Sequence, residues 1–200
     1  MTLQAAPASS AIPAAVGDAE HRLPGNAGMW LFVIGDLFIF GAYFVIFMIY
    51  RHWDPAGFLA SQRHLNLGAG VLNTLVLLTS SYFVAQAVGA TRQRDIRRAT
   101  LLLNGASACG LVFIAIKAYE WTRLVHEGDT FAHNNFFMFF FALTGVHLFH
   151  VLMGFVVLGV VRHEVHSQQS RGRVVEAGAI YWHMVDLIWV VLFALLYVMR

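Results

Sequence analysis

Charge is what this sequence has least of. Only 12% of its 200 residues are Asp, Glu, Lys or Arg, against roughly 25% in soluble domains. That scarcity argues for a chain that lives in lipid. The net charge is +2, and the arginines are scattered at the ends of apolar runs rather than gathered on one face. This excludes a nucleic-acid-binding surface. Cysteine is almost absent too: Cys109 stands alone, so there is no internal disulfide and no cysteine-rich metal site. Residues 1–27, "MTLQAAPASSAIPAAVGDAEHRLPGNA", lack the basic start and apolar core of a secretory signal. Rich in Ala, Pro and Ser, they read as a mobile tail. The first spanning helix is then the expected membrane-targeting signal. No nucleotide loop, no HExxH, no Ser-His-Asp arrangement and no internal repeat is found. Residue chemistry alone therefore gives no self-sufficient catalytic site.

What remains is apolar. Hydrophobic residues make up 58% of the chain and mean hydropathy is +0.65. A helix needs about 20 apolar residues to cross a hydrocarbon core. Five segments meet that length, at about 29–50, 67–90, 99–119, 135–161 and 177–199. In lipid every backbone polar group must be satisfied internally. The fold class expected is all-α: a polytopic membrane protein whose residues 28–200 form an antiparallel bundle of five transmembrane helices. The first span closes at "RHWDP", where Pro55 blocks continuation. "NGASACG" (104–110) sets Gly105 with Cys109 and Ala106 with Gly110 at four-residue spacing, which suits close helix packing. The aromatic run "NNFFMFFFALTG" (134–145) reads as lipid-facing and interfacial.

Arginine counts predict the orientation. Arg22, Arg92, Arg94, Arg97, Arg98, Arg162, Arg171 and Arg173 fall on one side, and Arg51, Arg63, Arg123 and Arg200 on the other. Positive charge is enriched in cytoplasmic loops, so eight against four puts the amino terminus in the cytoplasm and the carboxyl terminus outside.

The polar residues inside the spans are the candidate site. Asp36 interrupts "MWLFVIGDLFIFGAYFVIFMIY" roughly 10 Å from the cytoplasmic end of the first span. A charge at the bilayer centre costs at least ~2.5–3.5 kcal/mol, so Asp36 is expected to point inward and to be protonated or partnered. "YWHMVDLIW" in the last span brings His183 and Asp186 to a similar depth on one face. Asp36, His183 and Asp186 are therefore expected to form one polar cluster, either exchanging protons or fixing helix packing. Glu120 in "IKAYEWTR" has Lys117 one turn before it, which predicts a local ion pair or snorkelling to the interface. "TGVHLFHVLMG" places His147 and His150 three apart in the fourth span. Residues so spaced on one helix cannot be trans ligands to one iron, and a metal role is disfavoured against core histidines bonded to Asn73, Thr74 or the backbone.

The stretches "GMWLFVIGDLFIFGAYF", "LNTLVLLTSS", "KAYEW", "FFALTGVHLFHVLMG" and "EAGAIYWHMVDLIWVVLFALLY" resemble subunit III of the haem-copper oxidases, the cytochrome c oxidase family. They run in the family's order through all five spans, from about residue 28 to 199. The resemblance implies an accessory, non-catalytic subunit of a bacterial inner-membrane respiratory complex. Haem and copper would sit in its partner, the catalytic subunit I, and phospholipid would be bound between helices. It also implies a role in sustaining proton uptake. The family's carbodiimide-reactive membrane carboxylate, usually a glutamate, aligns with Asp36. Long members carry two further amino-terminal helices that this chain lacks. Short five-helix members serve cytochrome c and quinol oxidases, and a similar group accompanies nitric oxide reductase. A small independent transporter is the alternative of another class.

Overall fold

In the computed structural model, residues 27–167 and 172–199 are described. All of the expected tail 1–27 except Ala27, which opens α1, lies outside them, as do Arg22, Arg171 and Arg200 of the orientation count. Among the described residues six helices follow one another: α1 (Ala27–Trp53), α2 (Pro55–Gln62), α3 (Leu67–Arg92), α4 (Ile96–Glu127), α5 (Asn135–His166) and α6 (Gly172–Phe193). A π-turn, Ala194–Val198, continues α6. Five helices are long and apolar enough to cross a membrane, and all but α2 belong to that set.

Short polar residues set where the helices start. Asp54, Asn66, Asp95 and Asn134 each accept a hydrogen bond from the backbone N–H three residues on. This satisfies one of the orphan donors of a helix amino terminus. Pro55 does not simply stop the first helix. It opens α2 at the first helical position, where its missing N–H costs nothing. Gly128 ends α4 at φ +90°, a left-handed conformation that a side chain would strain. The spans outrun the apolar segments: α4 extends eight residues past 119, because helix geometry continues into the polar turn "WTRLVHE".

The helix α6 is the axis of the bundle. It packs on α1, α3 and α5, while α3 and α4 form a long antiparallel hairpin beside it. In the most apolar 18-residue window of α6, 61% of residues are buried, against 17% in α1. Thus α1 is a peripheral strut. Packing in lipid relies on close contact rather than on escape from water, and α6 meets its neighbours through Trp182. A methyl group added at Gly154 would come within 2.7 Å of that indole, and one at Gly110 within 3.3 Å. The small residues of 104–110 therefore make room for aromatic side chains. The run 134–145 departs from its lipid-facing expectation, since Phe136, Phe137, Phe139 and Phe140 are all buried. Phe139 meets Phe47 edge-on and Phe136 meets Phe58 of α2 in the same way, while Phe137 and Phe140 pack on Phe136.

Candidate functional site

Asp36 turns inward, as its cost in hydrocarbon requires, but its partner is not the expected one. His150 Nε2 of α5 lies 3.3 Å from Asp36 Oδ2, with 13% and 14% of the two side chains exposed. The expected single cluster with His183 and Asp186 is not formed. The outer strut α1 meets both α5 and α6, and at this depth α6 presents Tyr181, whose ring stacks on Phe32 and whose hydroxyl donates to the His150 carbonyl at 3.1 Å. The aspartate is left facing α5.

One ring hydrogen of His150 can be placed from geometry. His150 Nδ1 lies 2.8 Å from the Val146 carbonyl oxygen. A carbonyl only accepts, so Nδ1 carries hydrogen. Nε2 is the nitrogen left to face the Asp36 carboxyl, within ion-pair distance but without a hydrogen bond to Oδ2. The edge of Phe40 closes one side, at a ring-centroid distance of 5.5 Å.

His183 and Asp186 belong to a separate group between α3 and α6. His183 Nδ1 is 2.6 Å from Ser81 Oγ. Asp186 lies beside the same serine, is 4% exposed, and has neither carboxylate oxygen at hydrogen-bonding geometry with a donor.

Glu120 does not snorkel. Its Oε2 takes a hydrogen bond from Lys117 Nζ at 2.8 Å, and Tyr197 of the π-turn donates to the carboxylate and accepts from Nζ at 2.7 Å. Exposure of the charged pair is 1% and 3%. The ammonium lies 4.6 Å from the Phe140 ring centroid, 5.0 Å from Trp189 and 5.2 Å from Tyr197, so π faces stand where water would be. The Lys–Glu spacing was visible in sequence, but the part of Tyr197, eighty residues from Lys117, left no local signal. A trio of a buried aspartate and two half-exposed histidines was missed as well. Asp129 is 2.6 Å from His64 Nδ1 and 3.8 Å from His133 Nε2, joining the turns beside α2 and before α5.

The remaining candidates divide. His147 is fully buried between Phe113 and Trp189, and neither ring nitrogen has a hydrogen-bond partner. Thr74 accepts from Trp189 Nε1 at 3.1 Å rather than from a histidine, and Asn73 Oδ1 is unpaired. Among the described residues, no three His, Cys, Asp or Glu side chains converge on a point that would hold a metal ion. A groove of about 850 Å³ opens between the start of α1 and the facing sides of α5 and α6, walled by Val156, Val157, Val160 and Val161 with Arg173 at its margin.

Comparison with known proteins bears on this arrangement. Residues 22–200 match the family described as cytochrome c oxidase subunit III. The chain is similar to the cytochrome c oxidase subunit 3 of Thermostichus vulcanus, 31% identical over 90% of each chain. It is 32% identical to that of Synechocystis sp. over 86% of this chain and 74% of the relative. The cytochrome bo(3) ubiquinol oxidase subunit 3 of Buchnera aphidicola is 26% identical over 85% of this chain and 84% of its own length.

Proposed function

The chain belongs to the cytochrome c oxidase subunit III family, and from that premise we propose how it serves its complex. It is a multi-pass membrane subunit of a respiratory oxidase, and a non-catalytic one: haem and copper belong to the partner subunits, not to this chain. We propose that its amino terminus is cytoplasmic, which the arginine asymmetry supports, and that it resides in a bacterial inner membrane. In that orientation Asp36 and His150 stand in the half of the bundle from which protons are taken up.

The observation that carries the proposal is a carboxyl and an imidazole facing each other inside the bundle. Asp36 Oδ2 and His150 Nε2 stand 3.3 Å apart, and His150 Nδ1 is fixed as a donor to a carbonyl, which leaves Nε2 toward the carboxyl. Two side chains that can each hold a proton, at this distance, can pass one between them without rearrangement of the backbone. Both side chains keep a fraction of their surface open, so exchange with neighbouring groups of the complex is possible. The proposed role is to hold protons beside the catalytic subunit's uptake route and so prolong its working life. The valine-walled groove with Arg173 at its margin supports a second function, retention of a phospholipid whose acyl chain lies between α1, α5 and α6 and whose phosphate meets the guanidinium.

Affinity purification from native membranes tests the assignment. Recovery with a large oxygen-reducing subunit is expected, and recovery with a nitric oxide reductase instead would move the chain to that group. In the purified complex, Asp36→Asn is expected to slow proton uptake and shorten the number of turnovers before inactivation, with haem content unchanged. Unaltered uptake and lifetime, or loss of haem, would overturn the role given to the pair. Native mass spectrometry of the complex is expected to show an anionic phospholipid that Arg173→Ala removes.

A further inference from the structure

Several polar side chains within the spans are turned into the bundle. Lys117 has Glu120 and Tyr197, Trp182 donates to Ser80, and Trp189 donates to Thr74. Asp36 faces His150, and the unpaired Asn73 and His147 are enclosed. The group on α3 and α6 is different, because it opens sideways. His183 follows Gly172, the first residue of α6, by eleven positions, which sets it about 16 Å along the helix, near mid-membrane. Its imidazole is half-buried against Ser81. Among the described residues, nothing bonds its second ring nitrogen, Nε2.

Behind His183 stands Asp186, more than nine-tenths buried and with both oxygens unpaired. Ser81 has one hydroxyl hydrogen and two claimants, His183 Nδ1 and the neighbouring carboxyl. If the hydrogen goes to Nδ1, then Nε2 must present an N–H outward. If Nδ1 carries its own hydrogen, Nε2 presents a lone pair. Either way a polar atom faces out at a depth where hydrocarbon offers it nothing. Around it the surface is apolar. Leu187 and Val191 continue the His183 face of α6, while Leu78 and Tyr82 flank Ser81 on α3, and all four are exposed. A polar centre within an apolar surround is how membrane helices make specific contact.

We infer that this α3–α6 face docks a transmembrane helix of the catalytic partner subunit, and that the helix carries a hydroxyl or carboxamide side chain bonded to His183 Nε2. Such a side chain both donates and accepts, so it serves either tautomer. Ser81 and Asp186 act as positioning residues that hold the imidazole outward. The inference rests on the chain's place in an oxidase complex, and it adds which face makes the contact.

The test uses the intact complex in native membranes, with a photo-crosslinking amino acid in place of Leu187, one turn from His183 and 54% exposed. The expected product is an adduct with the catalytic subunit. Adducts only with lipid or only with a second copy of this chain would overturn the inference. Loss of one interhelical hydrogen bond in lipid corresponds to about a three- to tenfold weaker association. His183→Leu is therefore expected to lower recovery of the catalytic subunit by about that factor, and His183→Gln to restore most of it. Equal recovery with Leu and Gln would also overturn it. The wild-type control separates the two levels of the argument. If no catalytic subunit accompanies the wild-type chain, the oxidase assignment fails. If it accompanies the wild type but Leu187 never reaches it, only the docking face fails.

Discussion

Two ion pairs occupy the same apolar bundle and differ in almost every respect that governs their chemistry. Lys117 and Glu120 are 1% and 3% exposed, joined at 2.8 Å, bonded by a tyrosine hydroxyl and flanked by three aromatic rings. Asp36 and His150 are 14% and 13% exposed, 3.3 Å apart, and the Asp36 oxygen of that contact makes no hydrogen bond. Taking two charges out of water costs several kcal/mol per ion, and only good geometry with further hydrogen bonds offsets it. The first pair meets that requirement fully and is a fixed element of the fold. The second meets it only in part, with no hydrogen bond at Asp36 Oδ2 and both side chains partly open. Enclosure thus separates the structural pair from the one proposed to exchange protons.

The largest expected effect comes from breaking the enclosed pair. Lys117→Met leaves a buried carboxylate uncompensated and is expected to cost about 3–5 kcal/mol, read as a large fall in the thermal midpoint of the detergent-solubilised protein. Replacing both partners, Lys117→Met with Glu120→Leu, is expected to recover most of that loss. A double variant as unstable as the single one would contradict the comparison. Next in size is the labelling contrast. A membrane-permeant carbodiimide is expected to modify Asp36 and to leave Glu120 untouched, as peptide mass spectrometry would show, because the first carboxyl is partly open and the second is enclosed. Tyr197→Phe removes one hydroxyl from the enclosed cluster while retaining its ions, for an expected cost of about 1–2 kcal/mol. Smallest is Arg92→Ala, which deletes an exposed bridge to Glu176 and is expected to move stability by less than about 1 kcal/mol.

The five spans were legible because apolar length alone decides them, and so was the inward turn of Asp36, because its cost in hydrocarbon decides it. What sequence could not give is the azimuth of each helix. Asp36 was expected to face His183, and it faces His150, because depth follows from counting residues whereas facing follows from packing. The phenylalanines of 134–145 illustrate the same limit. A run of aromatics looks the same whether lipid or a capping helix covers it, and α2, only eight residues long, carries no span-length signal. Tyr197 was out of reach for another reason. Its position depends on the π-turn, a local widening that periodicity does not announce.

That turn has a temporal consequence. Its carbonyls at Leu195 and Leu196 are held by the Gln62 amide, and its tyrosine is added to the chain eighty residues after the lysine it completes. During synthesis the third span reaches the bilayer with an ammonium and a carboxylate still waiting for their last ligand. A nascent chain interrupted before the turn would present that unfinished cluster to the insertion machinery and to membrane proteases. The turn that closes the fifth span is therefore what completes the cluster begun in the third.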